Sequence, residues 1–320
     1  MKNSILEMRE ITKQTNDIRV LNAFSLQVKQ GDIHAVVSDN HESISAMIKV
    51  LCGIYPHESY SGDILINGNR KIFNSIKDSE EAGIGVIYQK PFFCKSMSIT
   101  QNLFLGNEYN RFGFIDQKRC QKEAERIIAD LNLDFKKRGR IFELSLFEKQ
   151  KLAIGRNLIK NSGIWVLEDI ISVLTEEEID DLLDLLQAYG NKGITIVYVG
   201  HRLKDILRIA DTVTVMQNGK DKLSEAAKNY MEDDLRISMI IKNELPKYGS
   251  LDSFCANYDI SRRENEVLLL LIDGKSYKEI CDQLFLSLNT VKKHVSNIYQ
   301  KIKVNSKREL LNAILKYIKN

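Results

Sequence analysis

The sequence predicts an α/β domain with a largely buried parallel sheet, followed by a small all-α domain of four helices. Three observations predict this. Short apolar runs alternate with helical stretches up to about residue 220. Pro246, followed by Lys247-Tyr248-Gly249-Ser250, interrupts the pattern as a linker would. Beyond Ser261 the period is helical throughout. The expected bounds are residues 1–243 for the first domain, 244–258 for the linker and 259–320 for the second.

In the first domain, Ile33-His34-Ala35-Val36-Val37, Gly85-Val86-Ile87-Tyr88, Ile164-Trp165-Val166-Leu167 and Ile194-Thr195-Ile196-Val197-Tyr198 read as buried strands. Each is continuously apolar rather than alternating, as in a parallel sheet covered on both faces. Residues 116–132 are charged and amphipathic and read as an inserted helix, while 223–245 read as polar helix.

In the second domain, an amphipathic helix over 262–272 ends at Asp273-Gly274. Ser276 caps a helix over 277–284, and Phe285-Leu286 form a tight turn. Ser287 or Asn289 caps a longer helix over 289–301, on which Val291, Val295, Ile298 and Ile302 form one apolar stripe. A last helix spans 306–316, and its Leu310, Leu311, Ile314 and Leu315 are core positions or a dimerisation face. Lys292, Lys293, Ser296, Asn297 and Gln300 lie off the long helix's stripe. Donors of this kind suit phosphates and base edges in a major groove, and the helix start near Asn289 and Thr290 presents backbone N–H groups to a phosphate.

Charge distribution agrees with that reading. From Asp259 onward there are 12 Lys/Arg against 7 Asp/Glu, whereas the rest of the chain carries 34 against 36. Positive charge is thus concentrated where duplex DNA is the expected partner. The longest aliphatic run, 267–272, is far shorter than the ~20 residues a membrane helix needs. The start MKNSILEMRE lacks a signal-peptide core. Cys52, Cys94, Cys120, Cys255 and Cys281 are scattered and never spaced as CxxC. Neither zinc nor a disulfide framework is indicated, and a cytoplasmic location is expected.

Residues 264–314 resemble the LuxR/GerE-type helix-turn-helix, which lacks a wing. The resemblance rests on Glu266-Val267-Leu268, Ser276, Lys278-Glu279-Ile280, Leu284, Ser287, Thr290-Val291-Lys292, His294-Val295, Ile298, Lys301 and Val304. It implies that Lys292, Lys293 and Ser296 face bases while Thr290 and Asn297 hold the DNA backbone. It also implies a protein that reads paired half-sites as a homodimer.

Residues 1 to about 240 resemble the ABC-transporter nucleotide-binding domain of sugar importers, a phosphate-loop-type α/β fold with a helical subdomain. Ser61-Gly62-Asp63-Ile64-Leu65-Ile66-Asn67-Gly68, Gln101-Asn102-Leu103-Phe104-Leu105-Gly106 and His201-Arg202-Leu203 carry the likeness. The chemistry-bearing motifs depart from it. A phosphate loop needs G-x-x-x-x-G-K-[ST], with glycines that let N–H groups wrap phosphates and a lysine that reaches the β and γ oxygens. In its place stands Ser38-Asp39-Asn40-His41-Glu42-Ser43-Ile44-Ser45, with Ile44 at the lysine position. The signature motif reads Leu144-Ser145-Leu146-Phe147-Glu148, and the metal-and-base pair reads Glu168-Asp169. Ser45, Gln89, Glu168, Asp169 and His201 are the remnants of a nucleotide site.

The expectation is a DNA-binding regulator with a pseudo-ATPase domain. It has no resident cofactor, and ATP and magnesium bind weakly at best. An importer permease or ATPase subunit is a candidate partner, with Pro91, Phe92, Phe93 and Ile99 as the contacts. The alternative is an ATP-hydrolysing subunit of a carbohydrate importer.

Overall fold

The computed structural model describes residues 3–38, 40–133, 141–200, 203–227, 251–272 and 275–319. Contacts divide the chain into two compact units, Met1–Ala227 and Lys228–Asn320. His201, Asp39, the basic run 136–140, the break at Pro246 and Gly274 lie outside the described residues.

The first unit opens with a hairpin. β1 (Ser4–Thr15) and β2 (Ile18–Lys29) pair antiparallel around Asn16 and Asp17, both at positive φ (47° and 63°). Asn and Asp tolerate that region better than most residues, so the two-residue turn forms. β3 (Ile33–Ser38) is buried at all six positions and leads into α1 (His41–Leu51). β4 (Ser61–Ile66) and β5 (Asn69–Lys71) extend the hairpin to a four-stranded antiparallel sheet, order β2-β1-β4-β5. α2 (Ile76–Glu81) and β6 (Ile84–Ile87) follow.

Next come α3 (Ile99–Phe104), a two-stranded ribbon of β7 (Asn110–Arg111) and β8 (Phe114–Ile115), α4 (Gln117–Asp130) and α5 (Leu146–Ile159). The three helices pack together closely around Gly155, where an added Cβ would lie 3.1 Å from both Ile127 and Leu103. β9 (Ile164–Glu168), α6 (Glu176–Asn191), β10 (Thr195–Val199), α7 (Leu203–Ile209), β11 (Thr212–Gln217) and β12 (Lys220–Ala226) complete the unit.

The central sheet has the order β12-β11-β3-β10-β9-β6, parallel except for β12. Its four predicted strands form within a residue of the expected positions. α1 packs against both β2 and β3, and Ile44, Met47, Ile48 and Leu51 share one core with Phe24 and Leu26 of β2 and Val36 of β3.

Two expectations are corrected here. Residues 223–226, read as helix, belong to β12: Glu225 pairs with Val213 and Ser224 with Thr214, whose hydroxyls lie 2.9 Å apart. Pairing with the neighbouring strand outweighs local propensity at a sheet edge. The stretch read as linker contains α8 (Asp252–Asn257), with Phe254 and Cys255 buried. Phe254 packs on Tyr258 and Tyr317, at ring-centroid distances of 4.7 and 5.2 Å, so this helix is part of a core.

The rest of the second unit follows the predicted order: α9 (Arg262–Ile272), α10 (Tyr277–Leu284), α11 (Leu288–Ile302) and α12 (Lys307–Lys319). Leu310, Leu311 and Ile314 are fully buried with Val267, Leu271, Val291 and Ile298. These three are core, not a dimerisation face, because α12 turns them toward α9 and α11. The side chain of Leu315 lies outside the described residues.

Candidate functional site

The α10–α11 pair is shaped by its caps. Ser276 and Glu279 form a reciprocal capping box at the start of α10. At its end Phe285 takes a left-handed conformation (φ 53°, ψ 44°), and the Leu286 N–H donates to the Cys281 carbonyl at 3.0 Å. Ser287 caps α11, accepting from the Thr290 N–H at 3.2 Å, with its hydroxyl 2.7 Å from that of Thr290. Asn289, the other candidate cap, is left exposed on the helix.

Helical geometry then sorts the side chains of α11. Val291, Val295, Ile298 and Ile302 are buried. At 100° per residue, Asn289, Lys292, Lys293, Ser296 and Gln300 fall on the opposite side, and all five are exposed. Thr290, His294 and Asn297 are half-buried at the border between these faces. The structure therefore brings Asn289, Lys292, Lys293 and Ser296 onto one basic, hydrogen-bonding surface. Thr290 and Asn297 flank it.

The far end of α11 is pinned from within. The Lys301 ammonium lies 2.7 Å from the Glu264 carboxylate and donates to the Asp259 carbonyl at 2.7 Å. Glu264 is 4% exposed and also accepts from the Ser261 N–H at 2.8 Å. Burial works against the charged carboxylate, but hydrogen bonds from Lys301 and Ser261 prevail and hold it down at about 2. This contact was missed in the sequence: Glu264 and Lys301 lie 37 positions apart, and charge alone marks neither for the interior.

In the first unit the sequence-predicted remnants gather at the carboxyl ends of β3, β6, β9 and β10. Ser45, Gln89, Glu168 and Asp169 line one cleft of about 430 Å³ with His41, Ile44, Tyr88 and Lys90. The Gln89 amide donates to Ser172 Oγ at 2.8 Å and Asp169 Oδ2 at 3.3 Å. Burial lifts the Glu168 carboxyl above its ordinary range, opposed by Lys49 and reinforced by Asp169. Asp169 has positive φ (44°). His201 lies outside the described residues.

The phosphate-loop positions differ in kind from a loop. α1 begins at His41, so positions 41–44 are already helical. The Asn40 side chain accepts from the Glu42 N–H at 2.9 Å, and the Asn40 carbonyl accepts from the Ile44 N–H at 3.3 Å. Ile44 is 4% exposed and packs into the core. At the signature position, Ser145 and Glu148 cap α5 reciprocally, and Lys151 lies 4.5 Å over the Phe147 ring. Both helix starts are thus occupied by side chains of the protein itself.

Family comparison matches residues 259–313 to the luxR family of bacterial regulatory proteins and residues 21–172 to the ABC transporter family. The chain joins an ABC transporter domain to a luxR-family regulatory domain. The xylose import ATP-binding proteins XylG of Thermoanaerobacter pseudethanolicus and Moorella thermoacetica are each 36% identical to it over 245 residues. Those alignments cover 77% of this chain and 48% of each relative, so the chain spans about half the length of the curated relatives it matches. Among solved structures, an ATP-binding cassette in its ADP conformation aligns with TM-score 0.65 at 23% identity, covering 75% of this chain and 99% of that one. A nucleotide-free cassette aligns with TM-score 0.62 at 22% identity, covering 70% and 92%. These likenesses establish the fold of the ABC domain.

Within the ABC domain, the expected partner-contact residues separate. Phe92 is 84% exposed and Pro91 half-buried, but Phe93 and Ile99 are each 7% exposed. Phe93 lies beneath the Arg156 guanidinium at 4.1 Å, and Ile99 is an inward residue of α3, so neither forms a docking surface. The exposed apolar side chains nearby are Phe112, Phe114 and Ile115 of the β7–β8 ribbon and Leu105, which the sequence reading did not single out. Isolated hydrophobic residues in a short polar stretch carry no signal of exposure. Among the described residues no helix is long and apolar enough to cross a membrane.

Proposed function

We propose that this chain is a sequence-specific DNA-binding transcription regulator whose ABC-type domain works by binding rather than by hydrolysis. The observation that carries the first half is the exposed face of Asn289, Lys292, Lys293 and Ser296, set opposite the buried stripe of α11. A helix with this division presents its polar side to the major groove while the other helices hold it. Lys292 and Lys293 are the proposed base or phosphate contacts, and Ser287 and Thr290 order the helix start that meets the backbone. Reading of paired half-sites by a homodimer belongs to the same proposal.

The second half rests on the cleft. The residues present do not fit a bound polyphosphate. Helix occupies the loop positions, Asn40 takes an N–H that a phosphate would use, and Ile44 supplies no ammonium. Glu42 adds an exposed carboxylate, and like charges there repel. We therefore assign no resident cofactor and no catalytic residue. The relatives' role in xylose import supports a link to sugar transport, through contact with an importer permease or ATPase subunit on the surface that includes Phe92.

The test is fluorescence anisotropy of the full-length protein on promoter fragments at several salt concentrations. Binding that weakens steeply with salt is expected, and Lys292→Ala with Lys293→Ala should cost about 1–3 kcal/mol per lost base contact. Each lost phosphate contact should lower the salt slope by about 1. Salt-insensitive binding, or none, removes the regulator reading.

One observation favours a second reading, an ATP-hydrolysing importer subunit: Ser45, Gln89, Glu168 and Asp169 still share a cleft. Phosphate release by the purified protein, abolished by Asp169→Asn, would establish it.

A further inference from the structure

Resting on the DNA-binding reading, we infer that Phe285 is a specificity residue that contacts thymine methyl groups at the edge of the major groove. Three observations converge on it. Phe285 is 94% exposed, the largest exposure among the big apolar side chains of the molecule's described residues. It occupies a left-handed backbone position, φ 53°, where a bulky residue is an outlier and Asn or Gly is at ease. Neither packing nor backbone conformation therefore calls for an aromatic here.

Its place in the chain supplies the reason. Phe285 sits in the turn between α10 and α11, two residues before the Ser287 cap. Leu288, the first residue of α11, is 47% exposed and lies one turn before Lys292 on the same side of the helix. Two exposed apolar side chains, Phe285 and Leu288, thus bracket the Ser287 cap in the chain just before the basic face. In this docking geometry the first helix crosses the DNA backbone and the start of the second meets the bases, which brings the turn to the groove edge. The apolar feature exposed in that groove is the thymine C5 methyl, which aromatic and small apolar side chains recognise.

The experiment selects preferred sites for the full-length protein from random duplexes. It then measures binding to the best site and to the same site with deoxyuridine replacing each thymine, for wild type and Phe285→Ala. Removing one buried methyl contact should weaken wild-type binding about three- to fivefold at one position in each half-site. Phe285→Ala should bind the thymine site weaker by a similar factor, be indifferent to deoxyuridine there and keep the wild-type salt slope. Phe285→Leu, still apolar, should recover part of the preference. Equal loss on deoxyuridine substitution in wild type and Phe285→Ala overturns the proposal. So does unchanged DNA binding of Phe285→Ala with lost transcription activation, which would turn Phe285 toward a protein. If the wild type selects no site at all, the regulator reading itself falls, a result distinct from either.

Discussion

At position 44 a lysine would neutralise phosphate, yet Ile44 is 4% exposed and shares a core with Met47 and Ile48. Ile44→Lys is expected to destabilise the ABC domain by about 2–3 kcal/mol, since an ammonium replaces packed carbon. It should also leave phosphate release at background, because the helical turn from His41 stays in place. Thermal melts and a phosphate assay on the same sample check both; turnover gained without loss of stability would contradict this account. Phe285 gives the opposite case, a residue whose removal should help the fold. Phe285→Asn relieves left-handed strain and should raise stability by about 1 kcal/mol, seen as a higher urea midpoint at unchanged slope. A lower midpoint would mean that the ring packs in solution. The apolar stripe on α11 and the loss of the phosphate-loop lysine were legible in the sequence because each depends on residue type at fixed spacing. The exposure of Phe285 was not, since an aromatic in an apolar turn reads as core.

Pairs of elements carry the next level. The Glu264–Lys301 contact joins the start of α9 to the end of α11 and so fixes the angle at which the basic face is presented. The folded Glu264 carboxyl titrates at about 2, below its ordinary 4.5. Its contribution is therefore complete above pH 4.5 and is lost as pH falls from there toward 2. Glu264→Gln should flatten the stability–pH curve of the luxR-family domain in that window and cost about 2 kcal/mol at neutral pH, the worth of a hydrogen bond to a charged group. Urea melts between pH 2.5 and 7 measure it; an acid limb of unchanged steepness would show that other carboxylates govern this range. Element boundaries in this domain were close to expectation because caps such as Ser276 and Ser287 mark them locally. The strand at 223–226 was not, because its partner β11 supplies the hydrogen bonds.

For the whole molecule, the two units have separate cores. One joins α1 to the strands around it, and the other gathers α8 to α12. A fragment of residues 251–320 should therefore fold alone. A fragment starting at 259, the boundary expected from the sequence, lacks Leu251, Phe254 and Cys255, all of them buried. Loss of the Phe254 side chain alone is worth about 3 kcal/mol, so the shorter fragment should melt well below the longer one in circular dichroism. Equal melting would mean that α8 adds nothing to this core.

What the residues by themselves determined is the pair of folds and the exposed polar face of α11. Both follow from periodicity, caps and residue type, which act over a few neighbours in the chain. The tertiary structure decided the rest: that α8 belongs to a core, that Leu310, Leu311 and Ile314 point inward, and that Lys301 is held by Glu264. It also decided that positions 41–44 wind into helix rather than form an open loop. Each of these depends on groups distant in sequence competing for the same space or the same hydrogen bond, and such competition leaves no mark in local pattern.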